Sequence, residues 1–305
     1  MMKTSKYIWR NGSLINWEDA TTHVLTHALH YGTAVFEGVR AYNTPKGPAI
    51  FRGREHMKRL LNSAKILLMQ SPYSEKVLLE ATKNLLRENK LNACYIRPIL
   101  FYGYGAMGLY PGKNPIDAVI AAWEWGSYLG EEGLKNGIRC KMSSWTRIDS
   151  RIIPPLAKST ANYLNSALAK TEAIQCGYEE AIMLNMNGTV SEGPGENIFL
   201  VKDGAISTPE VADSALAGIT GQSALQIAKD LNIPIQYRRI LRDELFLADE
   251  LFFTGTAAEI TPIREIDGRV IGNGKRGPIT EKIQETFFEA VKGMDLRYES
   301  WLDFV

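Results

Sequence analysis

Three dipeptides restrict the architecture of this chain. Asn11-Gly12, Asn187-Gly188 and Asp203-Gly204 sit in Y-I-W-R-N-G-S-L-I-N, A-I-M-L-N-M-N-G-T-V-S-E-G and E-N-I-F-L-V-K-D-G-A-I, each between apolar runs. Asn-Gly and Asp-Gly tolerate the positive φ angles of a two-residue turn, so each predicts a β-hairpin and hence antiparallel neighbours. Helical periodicity lies between them. From Arg54 to Met69 the residues Met57, Leu60, Leu61, Ala64, Leu67 and Leu68 fall on one face, and a second helix is expected from Ser74 to Asn89. C-Y-I-R-P-I-L-F-Y and I-D-A-V-I-A-A-W-E-W then read as strands. Beyond them, a helix is expected to end near Gly177, another to bury Ala224, Leu225, Ile227, Ala228 and Leu231, and a last to run from Pro278 to Lys292 and stop at Gly293. Hairpins mixed with helices in both halves indicate an α+β fold with mostly antiparallel sheets.

At 305 residues the chain exceeds what one compact core usually holds, so two domains are expected. Gly126, Gly130, Gly133 and Gly137 mark residues 126–137 as the linker, with a small α/β domain over 1–125 and a larger one over 138–305. A net charge of +1 with 23% charged residues gives no nucleic-acid surface. Cys94, Cys140 and Cys176 are scattered, which favours a reducing compartment over a disulfide framework. The start M-M-K-T-S-K-Y-I-W-R-N-G lacks the apolar run of a signal peptide, and no stretch is long enough to span a bilayer. A soluble cytoplasmic protein is expected.

Several motifs are set aside. Y-G-Y-G-A-M-G matches G-x-G-x-x-G after a strand, but L-Y-P-G-K-N-P follows and cannot open the helix that a dinucleotide site needs. His23, His27 and His30 share a helical spacing, yet no carboxylate or cysteine completes a metal set, so no metal is expected. A G-x-S-x-G elbow is missing.

One lysine remains conspicuous. In P-P-L-A-K-S-T-A-N-Y-L-N-S, Lys158 stands at the mouth of an expected helix, where the positive pole disfavours a cation. Glu192 ends a strand beside glycines in S-E-G-P-G-E-N-I-F, and Thr220 opens a helix in A-L-A-G-I-T-G-Q, a place suited to an anion. Tyr163 follows the lysine, and Thr256 ends a strand in F-F-T-G-T-A-A-E-I-T. These are the group types pyridoxal phosphate requires: an amine for the aldehyde, a carboxylate for the ring nitrogen, a hydroxyl for the phenolic oxygen, and hydroxyls with a helix start for the phosphate. Taken singly, each has a plainer reading: a surface lysine, a turn glutamate, a core tyrosine, a capping threonine.

L-H-Y-G-T-A-V-F-E-G-V-R-A-Y (from Leu29), Y-I-R-P, A-K-S-T-A-N-Y, S-E-G-P-G-E-N-I-F, G-I-T and T-G-T-A-A-E-I-T resemble the branched-chain amino-acid aminotransferases of the fold-type IV pyridoxal-phosphate class, in order and from about Tyr7 onward. The resemblance implies a two-domain fold whose larger domain binds pyridoxal 5'-phosphate. It implies that Lys158 is the Schiff-base lysine, Glu192 the partner of the ring nitrogen, and Tyr163 that of the phenolic oxygen. Arg59, Ile219, Thr220 and Thr256 would hold the phosphate, with Leu216 packed on the ring. Tyr95, with the N–H groups of Thr256 and Ala257, would take the substrate α-carboxylate. Phe36, Trp125 and Tyr128 would wall the side-chain pocket, joined by Tyr31 and Leu109 of a neighbouring subunit, and Arg97 would pair with the side-chain carboxylate of glutamate. The implied reaction moves the amino group of L-leucine, L-isoleucine or L-valine to 2-oxoglutarate in a homodimer or higher homo-oligomer. D-amino-acid transamination and aminodeoxychorismate lysis on the same fold are the alternatives, although Arg97-Pro98-Ile99 lacks the arginine and histidine two apart of the D-specific relatives. A cofactor-free lysine aldolase and a non-catalytic scaffold are more distant alternatives.

Overall fold

The computed structural model describes residues 3–126 and 128–305. Met1 and Met2, in the segment read for a signal peptide, and Ser127, in the expected linker, lie outside the described residues. The chain forms two compact units, and the division is not one cut in the sequence. The first contains Met1–Trp125, Ala157–Ala161 and Glu289–Val305; the second contains Gly126–Leu156 and Asn162–Phe288.

The first unit is built on one sheet. Its strands are β1 (Tyr7–Arg10), β2 (Ser13–Asn16), β3 (Ala34–Phe36), β4 (Val39–Thr44), β5 (Gly47–Phe51), β6 (Cys94–Tyr102) and β7 (Ile116–Trp123), with a C-terminal strand Leu302–Phe304. The order runs from the C-terminal strand through β5, β4, β6, β7 and β1 to β2, with β3 also on β6, and every pair among the described residues is antiparallel. Asn11-Gly12 makes the β1–β2 turn with φ of 48° and 97°, bringing Arg10 opposite Ser13. A short helix α1 (His27–Tyr31) precedes β3, while α2 (Gly53–Ile66) and α3 (Glu75–Asn89) cover the sheet. Ser74 caps α3 by accepting from the Val77 N–H. Met57, Leu60 and Ala64 of α2 and Leu78, Leu85 and Leu86 of α3 pack with Val39, Ile50, Ile96 and Leu100 in one core. Each large side chain among them contributes about 1.5–3 kcal/mol of burial. Leu68, expected in this stripe, is 85% exposed. The helix has ended at Ile66 and Leu68 adopts φ 57°, so Met69 turns inward instead.

The segment around Lys158 joins this sheet. Ser159 forms an antiparallel bridge with Val35, the Phe36 N–H donates to the Lys158 carbonyl at 3.0 Å, and the Thr160 N–H donates to the Ala34 carbonyl at 2.9 Å. Lys158 is therefore extended beside β3, and the following helix begins only at Asn162. That corrects the expectation of a lysine in a helix mouth: β3, far away in sequence, supplies pairing that local pattern does not encode.

The second unit holds β8 (Ile138–Met142), β9 (Glu180–Leu184), β10 (Val190–Glu192), β11 (Asn197–Lys202), β12 (Ala205–Thr208), β13 (Ile235–Tyr237), β14 (Glu250–Gly255), β15 (Glu259–Ile266) and β16 (Arg269–Val270). The order is β10-β9-β8-β15-β14-β11-β12-β13, with β16 on β15. The β8–β9, β8–β15 and β12–β13 pairs are parallel and the others antiparallel. Its helices are α4 (Gly130–Asn136), α5 (Asn162–Gln175), α6 (Ile219–Asp230) and most of α7 (Pro278–Val291). The glycine-rich 126–137 stretch thus carries a helix. A Cβ on Gly133 would stand 3.0 Å from the Ile138 Cγ2, so the glycine allows α4 to fold close to β8. Ile182, Ile198, Leu200, Leu251, Phe253 and Ile263 form the core on one side of this sheet, and Phe199 stacks on Phe252 at 4.9 Å. No helix among the described residues is long and apolar enough to cross a membrane.

Candidate active site

In the first unit the site begins where β3 ends. Glu37, directly after Phe36, is fully buried. Its Oε1 accepts from Arg59 Nε at 2.6 Å, and its Oε2 accepts from Arg59 Nη2 and His56 Nδ1, each at 2.8 Å. His56, Arg59 and Ser63 follow one another at helical spacing and form a polar face of α2 next to the apolar stripe. Ser63 Oγ accepts from the Lys158 N–H at 3.0 Å, and Lys158 Nζ lies 5.0 Å from the Phe36 ring centroid. Burial pushes the Glu37 carboxyl upward, but Arg59 and then His56 outweigh it and hold the group well below the usual carboxylate range. Burial pushes His56 down, beyond what Glu37 restores, and the cations Arg59 and Lys158 act in the same direction. His56 is thus a neutral imidazole whose Nδ1–H donates to Glu37.

Tyr95 and Arg97 alternate along β6 and so project from one face. The Arg97 Nη2 donates to Tyr95 Oη at 3.2 Å, and its guanidinium carbon lies 4.8 Å from the Phe36 centroid. Trp125 meets Tyr95 edge-on at 4.7 Å, with Trp123 at 5.2 Å. A Cβ on Gly38 would overlap Tyr95 Oη outright and stand 3.0 Å from Cζ, so only glycine leaves room for the phenol tip here. Phe36 links the group: the Lys158 amine lies near its ring, as does Arg97. Tyr31 on α1 and Leu109 are exposed, at 38% and 86%. The G-x-G-x-x-G stretch before Leu109 opens no helix. His27 Nε2–H donates to the Gly108 carbonyl at 2.7 Å, while Nδ1 accepts from the Thr33 hydroxyl at 2.8 Å. The Asn114 amide bonds both the N–H and the C=O of Ala106, at 2.8 and 2.9 Å.

The second unit carries a carboxylate cluster. Glu192, at the end of β10, is 3% exposed. Its Oε1 lies 2.8 Å from Arg147 Nη2, and its Oε2 accepts from the Leu216 N–H at 3.0 Å and from Asn197 Nδ2 at 3.1 Å. Arg147 is itself held: its Nη1 donates to Ser166 Oγ at 3.0 Å and its N–H to the Leu184 carbonyl at 2.8 Å. Asn197 Nδ2 also donates to the Leu216 carbonyl at 2.8 Å. A Cβ on Gly218 would overlap Asn197 Oδ1, so this glycine brings the start of α6, with Ile219 and Thr220, close to the cluster. Tyr163 is half-buried in the first turn of α5. Thr256 and Ala257 form the turn between β14 and β15. The Tyr128 ring lies 5.1 Å from Lys170 Nζ. Lys170 pairs with the fully buried Glu180 at 2.7 Å. Nearby, burial and then the Glu180 charge push Glu196 up to about 8.

The class IV amino-transferase family matches residues 34–266, a span that includes both clusters. The chain belongs to the class IV aminotransferases. The branched-chain-amino-acid aminotransferase of Pseudomonas aeruginosa is 53% identical to it over 298 residues, covering 98% of this chain and 97% of the relative. A solved branched-chain amino acid aminotransferase from T.th., with pyridoxamine 5'-phosphate, superposes with a TM-score of 0.96 at 50% identity, covering 100% of this chain and 99% of the other. A T.th. enzyme structure complexed with N-(5'-phosphopyridoxyl)-L-glutamate matches with a TM-score of 0.94 at 47% identity, again covering 100% and 99%. The fold is thus the expected fold-type IV, α+β architecture.

Motif reading of this aminotransferase misses four residues that the geometry makes prominent: Glu37, His56, Arg147 and Asn197. A polar stripe at 56, 59 and 63 is visible beside the apolar one on α2, and Asn197 stands inside S-E-G-P-G-E-N-I-F. Nothing local marks Arg147, whose role depends on a carboxylate far along the chain.

Proposed function

We propose that this class IV aminotransferase moves the amino group of L-leucine, L-isoleucine or L-valine to 2-oxoglutarate in two half-reactions. Its cofactor is pyridoxal 5'-phosphate, and the groups present fit it. Glu192, charge-balanced by Arg147, suits a protonated ring nitrogen; Arg59 and the start of α6 suit the phosphate; Lys158 offers a primary amine to the aldehyde. When bound, this cofactor takes up the amino group and spreads the electron pair released at the substrate Cα.

The chain's own residues supply the rest. The Lys158 ε-amine takes the proton from the substrate Cα. Its backbone is fixed on both sides, at the N–H by Ser63 and at the carbonyl by Phe36, so only side-chain torsions remain to aim it. Three donors on Glu192, one of them cationic, stabilise its negative charge. Tyr163 is assigned to the phenolic oxygen, Leu216 to ring packing, and Arg59, Ile219, Thr220 and Thr256 to the phosphate. Tyr95 and the N–H groups of Thr256 and Ala257 are assigned to the α-carboxylate. Phe36, Trp125 and Tyr128 are assigned to recognition of the substrate side chain, and the exposed Tyr31 and Leu109 to the pocket of a neighbouring copy in a homo-oligomer.

One observation carries the substrate assignment: Arg97 places a guanidinium between the aromatic faces of Phe36 and Tyr95. Such a wall takes an apolar side chain, and the Arg97 guanidinium takes a carboxylate, so one pocket serves both leucine and glutamate. The T.th. relative in complex with the phosphopyridoxyl-glutamate adduct supports this reading. Discrimination among apolar side chains is about 1–3 kcal/mol per methylene, so broad specificity is expected. Arg97→Ala should impair kcat/KM for L-glutamate far more than for L-leucine. Equal losses for the two would overturn the assignment.

A further inference from the structure

We infer that Glu37, backed by His56, is a positioning residue that fixes the Arg59 guanidinium in the orientation from which it holds a phosphate monoester. This rests on the reading of Arg59 as a phosphate ligand and adds the device that makes it effective. Arg59 lies on α2, its side chain 14% exposed, and carries a long flexible stem. Two of its nitrogens, Nε and Nη2, meet the two oxygens of one carboxylate at 2.6 and 2.8 Å. That fork-to-fork geometry fixes the guanidinium plane, not only its position. The N–H groups a phosphate would meet are those on the edge turned away from Glu37.

Glu37 is itself held. Its own N–H donates to the Pro98 carbonyl at 2.8 Å, and Oε2 takes a second donor from His56, which is 1% exposed. A neutral imidazole can serve here because its Nδ1–H faces an oxygen that only accepts. The arrangement also balances charge, since a buried carboxylate offsets Arg59 while Lys158 stands near the same helix face. Glu37 touches neither substrate nor cofactor in the proposed assignment; it acts through Arg59, and pre-orientation of a flexible ligand group raises affinity by removing its ordering cost on binding.

The test uses the cofactor-free protein and two non-covalent probes, pyridoxamine 5'-phosphate and pyridoxamine, titrated by intrinsic fluorescence. Glu37→Gln keeps the shape but sets an amide N–H against a donor. It should weaken the phosphate ester about tenfold or more, as a misaligned ligand group does, and leave pyridoxamine within about twofold. Combined with Arg59→Gln, it should add nothing further, because its effect passes through Arg59. His56→Gln should give a smaller loss, again confined to the phosphate ester, and it serves as the second variant if Glu37→Gln does not fold. Unchanged affinity for the phosphate ester in Glu37→Gln, equal losses for both probes, or additive losses with Arg59→Gln would each overturn the inference. If Arg59→Gln alone binds the phosphate ester as tightly as the parent protein, the reading of Arg59 fails instead, and the two failures are told apart.

Discussion

Gly38→Ala is the sharpest probe of the Tyr95 assignment. The added methyl would overlap the Tyr95 hydroxyl and stand 3.0 Å from Cζ. Carbon contacts are comfortable at about 3.5–4.0 Å, and the hydroxyl lies far inside that range, so the tip of the ring must retreat by about 1 Å or more. It has little room to do so: Tyr95 is 5% exposed and is flanked by Trp123, Trp125 and Arg97. Overpacking of this kind costs about 1–3 kcal/mol of stability. A displacement of about 1 Å in a substrate-positioning group costs up to about 100-fold in rate. The expected fall in kcat/KM for L-leucine is therefore about 10- to 100-fold, or about 1.4–2.7 kcal/mol of lost transition-state stabilisation. Steady-state kinetics with 2-oxoglutarate as acceptor measures it, and the same substitution in a Tyr95→Phe background supplies the control. Removing the hydroxyl removes the worst overlap, so the alanine should cost much less there. If Gly38→Ala leaves kcat/KM within about twofold, or costs the same in both backgrounds, the steric argument is wrong.

The buried charges give two more expected outcomes. Arg147→Met strips Glu192 of its cationic partner where the two side chains are only 5% and 4% exposed; breaking such a pair costs about 3–5 kcal/mol in denaturant unfolding, and a loss below about 1 kcal/mol would show the pair to be incidental. Acid should destabilise the first unit in two stages, read as the unfolding midpoint against pH. His56, lowered from 6.5, favours the unfolded state once pH falls below that value, and Glu37, lowered from 4.5, withdraws its stabilisation as pH falls further. His56→Asn should flatten the upper limb and leave the lower one, and an unchanged upper limb would refute the assignment.

Much of the fold is legible where the signal is local. Asn11-Gly12 and Asp203-Gly204 occupy two-residue turns with positive φ at both positions, between strands in the implied register. The Asn187-Gly188 turn also joins neighbouring strands, but through a longer loop in which the Asn185 side chain accepts from the Asn187 and Thr189 N–H groups. Helix α3 begins after its Ser74 cap, one residue inside the expected start. Pattern fails where the partner is distant. The stripe on α2 predicts burial for Leu68, but the left-handed turn after Ile66 exposes it. Conversely, His56 and Ser63 on α2 are polar and yet buried, because Glu37 and the Lys158 N–H bond them. Parallel pairing of β8 with both β9 and β15 leaves no turn signature, since it depends on crossovers rather than hairpins.

The position of Lys158 illustrates why such distant pairing matters for chemistry. A lysine in the first turn of α5 would oppose the helix dipole and would commit its carbonyl to the helix. In the fold, α5 starts at Asn162, and Lys158 lies before it in an extended segment. There its carbonyl accepts from Phe36, its N–H donates to Ser63, and its amine sits by the Phe36 ring. The neighbouring residues of β3's exit divide the remaining work. Phe36 anchors the lysine, Glu37 orients Arg59, and Gly38 leaves space for Tyr95. Three consecutive residues with such different chemistry cannot be exchanged or shifted by one, because a one-residue slip would turn the carboxylate toward Tyr95 and the aromatic ring toward Arg59. Insertion of a single alanine before Phe36 should therefore cost more activity than substituting any one of the three, and steady-state rates of the four variants with L-leucine would show whether it does.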